Sequence, residues 1–484
     1  MRCVRAGPDF VEDPERYGNL GAELLELPLG QFPHTNLGKL RLLSDRANLR
    51  TLATVESLEG HGRALLEKAV IARFDYVGVP LDTDVEMRGR MLAQARKHGV
   101  KVVLSHRSTR PPRSVESVLC LFQKCFRAGG DLALASFEVL RADHVRVLKE
   151  ASSAAGALGI PHGIGGTGRL SQLVSLLPGD LVFAALDGHG DGLDLAILSR
   201  LGPKTRLFAI LGEPAHPTVP LEVQNGCFRA MGSDCACIQL GPMPDDAAGL
   251  ACLLREMGFE GLTVGSPFRQ SMVQFTPATG LDIPAVSVVT RRNGRFVGHD
   301  TDGPALLGAL EGAGVRVHRR RALVFGTGGA ARSAALALSS RGARVVIAGR
   351  TLRRALDAAG AVGVQAASLS SVGPVLSRSS LLVNAIPGID DALVPDSSLR
   401  PDLVVVDLDC SPPTSALLGR AAESGAQTVS GMAVLSRGLS EALRLFTGSR
   451  PPAGMVGRLM DESLHREESK KKSLRATKVF NLQE

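Results

Sequence analysis

An α/β chain of several domains is what this sequence predicts: a (β/α)8 barrel, then a two-domain module whose second half is a Rossmann domain. Three observations lead there. The first part of the chain alternates short apolar runs with helix-length segments, a second strand–helix series starts at Arg206, and a glycine-rich turn opens a third at Gly326. The length of 484 residues fits about three domains at the usual one to two hundred residues each.

The apolar runs of the first region lie near Arg2–Arg5, Glu23–Leu27, Leu52–Val55, Tyr76–Val79, Val102–Leu104, Leu132–Ala135, Ile160–Ile164 and Leu181–Ala185. Their spacing supports a parallel α/β sheet, and their number, eight, favours a barrel. The second series runs from Arg206–Leu211 through Cys237–Leu240 and Leu262–Val264 to Val286–Thr290. The third runs from Ala322–Phe325 through Arg344–Ala348 and Leu381–Asn384 to Leu403–Leu408. The expected domains are therefore 1–203, 204–305 and 306–450. Residues 451–484 turn polar and charged and read as a partly disordered tail.

Composition narrows the function. Hydrophobic residues make up 44% and charged residues 21%, which is globular and not disordered. No run approaches the 18 or so apolar residues that a membrane span needs. The start, MRCVRAGPDF, lacks the layout of a secretory signal, and eight scattered cysteines form no CxxC pair. The expectation is a cytoplasmic protein without a metal site. The surplus of 56 basic over 48 acidic residues is spread along the chain, with one dense run at Lys470–Lys472. With no Trp and two Tyr there are few platforms for stacking bases, so no nucleic-acid partner is expected.

The clearest chemical motif is LVFGTGGAAR from Leu323. An apolar strand enters Gly326, Gly328 and Gly329, and an Ala-rich helix starting at Ala330 leaves. Glycines allow the tight turn and the close approach of a pyrophosphate, and a helix start offers free N–H groups and a positive dipole end. At the end of the next strand an NAD site usually carries an acid. Here that position is Gly349, followed by Arg350, Thr351 and Arg354. Two guanidiniums and a hydroxyl suit a 2′-phosphate, which makes NADP the expected cofactor. The same arginines could also be solvated residues at a helix start. Among other motifs, Gly165, Gly166 and Gly168 could hold a phosphate or simply make a tight loop, and His216 and His299 read as structural histidines in pocket segments.

These stretches resemble a family. Residues from about 205 to 448 look like shikimate dehydrogenase, through LGEPAHPTVPLEVQNGCF from Leu211, GLTVGSPFRQ from Gly261, GRFVGHDTDG from Gly294, VNAIP from Val383 and SGMAVLSRGLSEALRLFTG from Ser430. The region before them resembles type I 3-dehydroquinate dehydratase, and the order of the two resembles the fused bifunctional enzyme. The resemblance implies an NADP-dependent oxidation of a hydroxyl managed by a Lys and an Asp. The Asp is Asp302, while the Lys position is Arg269, which keeps the charge but cannot release its proton at useful pH. It also implies substrate contacts at Thr218 and Pro220 in place of two serines, at Ser287 in place of an Asn, and at Thr301, preceded by Asp300 in place of an Asn. A late pocket Gln reads Gly438, and Asn384 and Gly431 fall in segments that border the cofactor.

For the dehydratase region the resemblance implies a Schiff-base Lys and a proton-shuttling His. Those positions read Leu134 in LALAS from Leu132 and Arg107 in VVLSHRSTRPP from Val102. Two substrate-binding arginines read Pro28 and Glu56, and the Ser-Arg pair of a substrate loop reads Ser171-Gln172, although Glu26 and Glu59 remain. Without an amine there is no imine, so dehydratase activity is expected to be absent. Three readings stay open for the remainder: an NADP-dependent oxidoreductase acting on a hydroxy-acid-like ligand other than shikimate, a non-catalytic NADP(H)- or ligand-binding protein, and the ordinary bifunctional enzyme working with replacement residues.

Overall fold

The computed structural model describes residues 1–32, 35–174, 182–185, 193–212, 219–241, 246–276, 284–389, 393–410 and 415–466. The chain divides into two compact units, Met1–Pro203 and Lys204–Glu484.

In the first unit the strands are β1 (Arg2–Arg5), β2 (Leu24–Pro28), β3 (Arg50–Thr54), β4 (Tyr76–Pro80), β5 (Lys101–Ser108), β6 (Leu132–Glu138), β7 (Gly159–Ile164), β8 (Val182–Ala185) and β9 (Leu193–Asp194). They form one parallel sheet in the order β7-β6-β5-β4-β3-β2-β1-β8-β9. Each of the eight apolar runs contributes a strand. The sheet is curled, because Cys3, Leu24, Leu52, Tyr76, Val103 and Ile160, from six strands, meet in a single buried cluster. A flat sheet could not bring β1 and β7 to one core. The described residues show the barrel-like curl as a half-barrel: among them β7 pairs with β6, and β8 pairs with β1 and with the short β9. Strand count fixes how many elements there are, whereas closure depends on the tilt and stagger of the last pairings. Helices between the strands start on local signals, such as Asp84 accepting from the Glu86 and Met87 amides and the reciprocal Ser114–Ser117 capping box.

The second unit opens with β10 (Arg206–Leu211), β11 (Cys235–Leu240), β12 (Gly261–Val264), β13 (Val288–Arg292) and β14 (Arg295–His299), ordered β11-β10-β12-β13-β14. The first three are parallel and the last two antiparallel. The β13–β14 hairpin turns on Asn293-Gly294, both with positive φ, the pair that a two-residue hairpin favours. The helix Asp302–Gly312 then leads to β15 (Arg321–Phe325), β16 (Arg344–Gly349), β17 (Gln365–Ser368), β18 (Leu381–Asn384), β19 (Val404–Asp407) and β20 (Gln427–Ser430).

This six-stranded sheet is wholly parallel in the order β17-β16-β15-β18-β19-β20, the doubly wound Rossmann arrangement. Its strand order reverses between β15 and β18, which opens the crevice at their C-terminal ends. The long helix Gly431–Thr447 returns to the five-stranded sheet of this unit, where Leu439, Ala442, Leu443 and Phe446 pack with Phe208, Phe228 and Val288. Residues 455–466 form a further helix rather than loose chain, since Met455, Val456 and Met460 are buried in that same core. Apolar residues at helical spacing anchor this stretch.

Candidate functional site

A cavity of about 220 Å³ in the second unit is lined by Thr263 from β12, Arg269, Ser287, Thr301 and Asp302, and by Cys410 beyond β19. Its apolar wall comes from the helix Gly431–Thr447 and includes Gly438 and Leu439. Arg269 lies in the short helix Phe268–Ser271, and its Nε donates to the Val264 carbonyl at 3.0 Å. Its Nη1 forms an ion pair with Asp302 Oδ2 at the start of the helix Asp302–Gly312. That carboxylate oxygen is buried and receives no well-aligned hydrogen bond. The two residues that the resemblance paired, distant in sequence, are therefore in contact.

Ser287 and Thr301 are buried beside them. Thr301 N donates to Ser287 Oγ at 2.7 Å, and the two hydroxyls lie 2.9 Å apart. Much of their hydrogen-bonding capacity goes to each other. Asp300 accepts from the Asp302 and Gly303 amides. Burial first, and then the neighbouring Asp302 charge, push its carboxyl up to about 6. His299 shares a hydrogen bond with Thr290 Oγ1 at 2.9 Å, and burial, reinforced by Arg292 and Arg444, lowers its pKa. Thr218 and His216 lie outside the described residues, as does Lys470–Lys472.

The glycine turn sits at the reversal point of the Rossmann sheet. Gly326 has φ +111°, which only glycine adopts without strain. The helix Gly329–Ser340 starts at an N-cap, Gly328, that has no side-chain cap, and a Cβ on Gly328 would meet nothing. Its first N–H groups have no partner within the helix and lie at the positive end of the helix dipole. A Cβ on Gly349 would stand 2.6 Å from Thr327 Cγ2, so the end of β16 must carry glycine to pack on the turn. Arg350, Thr351 and Arg354 follow and are exposed, and among the described residues no carboxylate pairs with either guanidinium. Asn384 is fully buried, with its amide donating to the Ile386 carbonyl and to Asp407 Oδ1, so it shapes the loop after β18. Gly431 is packed on the Asp407 and Asp409 carbonyls, where a Cβ would come within 2.8 Å.

Sequence reasoning missed Thr263 and Cys410, which line the cavity, and Gln270 and Arg332, which hold the turn by donating to the Thr327 carbonyl. Cys410 had one usable signal, its place just past a parallel strand, where α/β sheets put their ligands.

In the first unit, Leu134 packs against the apolar cluster inside the curled sheet, and Arg107 is exposed near the end of β5. Ser105 is the register partner of Leu134. Glu26 accepts from Thr54 Oγ1 at 3.0 Å. Gln172 is buried and donates through Nε2 to His162 Nε2, while its Oε1 accepts from Leu193 N. This fixes the imidazole proton on Nδ1, which faces Ser136 Oγ at 3.4 Å, so His162 is not placed to deprotonate Ser136. In the loop after β7 a Cβ on Gly168 would fall 2.5 Å from the Gly163 carbonyl carbon, and Gly165 has φ +97°, so both positions need glycine for the loop itself.

The family model for type I 3-dehydroquinase matches residues 40–193. Shikimate dehydrogenase (NADP(+)) of Thermococcus kodakarensis is 33% identical over 261 residues, which cover 52% of this chain and 95% of the relative. The same enzyme of Methanosarcina barkeri is 30% identical, over 54% of this chain and 99% of the relative. The chain belongs to the shikimate dehydrogenase family. The chloroplastic bifunctional 3-dehydroquinate dehydratase/shikimate dehydrogenase of Arabidopsis thaliana is 27% identical over 94% of this chain and 82% of its own length. The dehydrogenase-like half of this family member is thus preceded by a dehydroquinase-like one, in the bifunctional order. Among solved structures, shikimate dehydrogenase of Aquifex aeolicus matches 54% of the chain at 24% identity with a TM-score of 0.50, a likeness of fold.

Proposed function

We propose that the second unit is an NADP-dependent oxidoreductase whose substrate is a small hydroxy acid other than shikimate, and that the dehydratase chemistry of the first unit is lost. The observation that carries the first part is the Arg269–Asp302 ion pair at one wall of a mostly apolar cavity. The cofactor fits the residues present. Gly326, Gly328, Gly329 and Ala330 would hold the pyrophosphate, while Arg350, Thr351 and Arg354 would hold the 2′-phosphate, with Asn384 and Gly431 shaping the adjoining loops. Relatives of this family are named for NADP(+), which agrees with that fit.

When bound, NADP supplies hydride transfer. The chain's own part is to bind the acid, orient its hydroxyl and take up the proton. Arg269, fixed at Nε by the Val264 carbonyl, presents a permanent positive charge that suits a carboxylate and cannot serve as the base. Among the described residues Asp302 is the one cavity-lining carboxylate, and it accepts the hydroxyl proton. Gly438 leaves space where a polar side chain would otherwise reach ring hydroxyls, since a Cβ there meets only Ala305 Cβ at 3.9 Å. Loss of such contacts weakens a polyhydroxylated substrate far more than a simpler one.

A second reading rests on the same ion pair. If Arg269 and Asp302 hold each other too tightly to admit a ligand, the unit binds NADP(H) without turnover. Titration with NADPH and NADH, followed by a screen of hydroxy acids, separates the two. NADPH binding with turnover of any hydroxy acid supports the oxidoreductase, binding without turnover supports the second reading, and no binding of either cofactor removes both. For the first unit, borohydride trapping with 3-dehydroquinate should give no covalent adduct, because Leu134 offers no amine. An adduct would overturn the loss of dehydratase chemistry.

A further inference from the structure

One unexplained feature lies at the N-terminal edge of the Rossmann sheet, across the strands from the glycine turn. A groove of about 760 Å³ there is lined by Arg321, Arg344 and Arg378, with Gln365, Ser339 and Ser379 between them. Arg321 begins β15 and Arg344 begins β16, and the two are direct register partners. Neighbours opposite one another on adjacent strands project to the same face, and like charges in that position repel. Arg378 reaches the groove from a third place, the loop after the helix Gly373–Leu376. All three are exposed, and among the described residues none has a carboxylate within ion-pair distance. Other arginines nearby do find partners, as Arg400 does in Asp402 and Arg420 in Asp396.

Three guanidiniums with no carboxylate partner among the described residues face one concavity, two of them opposite each other by sheet register, and together they offer a concentrated positive charge to an anion. The guanidinium fork matches phosphate and carboxylate oxygens in pairs of hydrogen bonds. A groove of this volume is the size of a small-molecule site. We propose that it is a second anion site, distinct from the cofactor crevice, for a small metabolite carrying two or more phosphate groups. β15 and β16 run from Arg321 and Arg344 to Gly326 and Gly349, so the groove and the glycine turn occupy opposite ends of the same two strands.

The test is calorimetric titration of the full-length protein at low salt with pyrophosphate, and with citrate as a polycarboxylate of similar charge. The expected result is saturable pyrophosphate binding, tighter than citrate, that weakens at least tenfold in Arg344→Gln/Arg378→Gln. The cofactor-end variant Arg350→Gln/Arg354→Gln should keep that site. Circular dichroism and a thermal melt check each variant, and Arg378→Gln alone, a loop substitution, serves if the double variant is unstable. The stability readout adds an independent arm. If Arg344 only complements the carbonyl end of the preceding helix, Arg344→Gln lowers the melting temperature; if it repels Arg321, the variant melts at an equal or higher temperature without anion. Absence of pyrophosphate binding to wild type, binding unchanged in both Arg344→Gln/Arg378→Gln and Arg378→Gln, or tighter binding of citrate would overturn the proposal.

Discussion

A Cβ placed on Gly329 would stand 2.8 Å from the Cβ of Arg269. The first residue of the dinucleotide helix and the arginine of the substrate cavity are thus in van der Waals contact through bare backbone. Gly329→Ala must push Arg269 or the turn aside. It should weaken NADPH binding several-fold and disturb the Arg269–Asp302 pair, while the fold, judged by circular dichroism, persists. Unchanged affinity and unchanged turnover would show that the contact is slack.

The cofactor preference follows from the end of β16. Arg350→Gln/Arg354→Gln removes both guanidiniums offered to a 2′-phosphate, and each charge-assisted contact is worth roughly 1.5–3 kcal/mol. NADPH affinity should fall at least tenfold, and NADH affinity should stay within about twofold, by cofactor fluorescence. The lack of Trp leaves that signal free of indole emission. An equal loss for both cofactors would place the arginines elsewhere than on the phosphate.

Restoring the polar pocket tests its geometry. Arg269→Lys with Gly438→Gln and Pro220→Ser should raise shikimate oxidation above that of the wild type, because a lysine can exchange a proton and Gln has room beside Ala305. No gain in a folded variant that binds NADPH would show that these positions do not meet the substrate.

Asp300 carries a pH dependence. Its carboxyl is raised to about 6 in the folded chain, from an unfolded value near 3.8. The folded state therefore binds the proton more tightly, and stability is lost as pH rises from about 4 to about 6. Above that range the ionised group is a fixed penalty, on the order of 1–2 kcal/mol after allowing for its partial exposure. Asp300→Asn keeps an oxygen for the Asp302 and Gly303 amides and removes the charge. Its melting temperature should exceed that of the wild type at pH 7.5 and match it near pH 4. A uniform shift at both pH values would contradict the ionisation argument.

Ser287→Ala should destabilise the second unit by about 1–3 kcal/mol in chemical denaturation, since it leaves the buried Thr301 amide without its acceptor. Little or no loss would mean that solvent replaces the hydroxyl.

The sequence by itself determined most of the strands, though not β9, β14, β17 or β20, and the glycine turn with its arginines, while the family resemblance paired Asp302 with position 269. The strands and the turn are local properties: short apolar runs, glycines at a strand-to-helix junction, charges at a strand end. Gly326, with its positive φ, is read off residue type because few other residues tolerate that angle, whereas the Asn293-Gly294 hairpin turn emerged only in the structure. The tertiary structure alone decided how the sheet of the first unit curls, that residues 455–466 fold back onto the five-stranded sheet of the second unit, and that Ser287 and Thr301 engage each other. It also decided that Arg321 and Arg344 face one another. Register between strands far apart in sequence is set by packing of the whole sheet, and nothing near either arginine in the chain announces its partner.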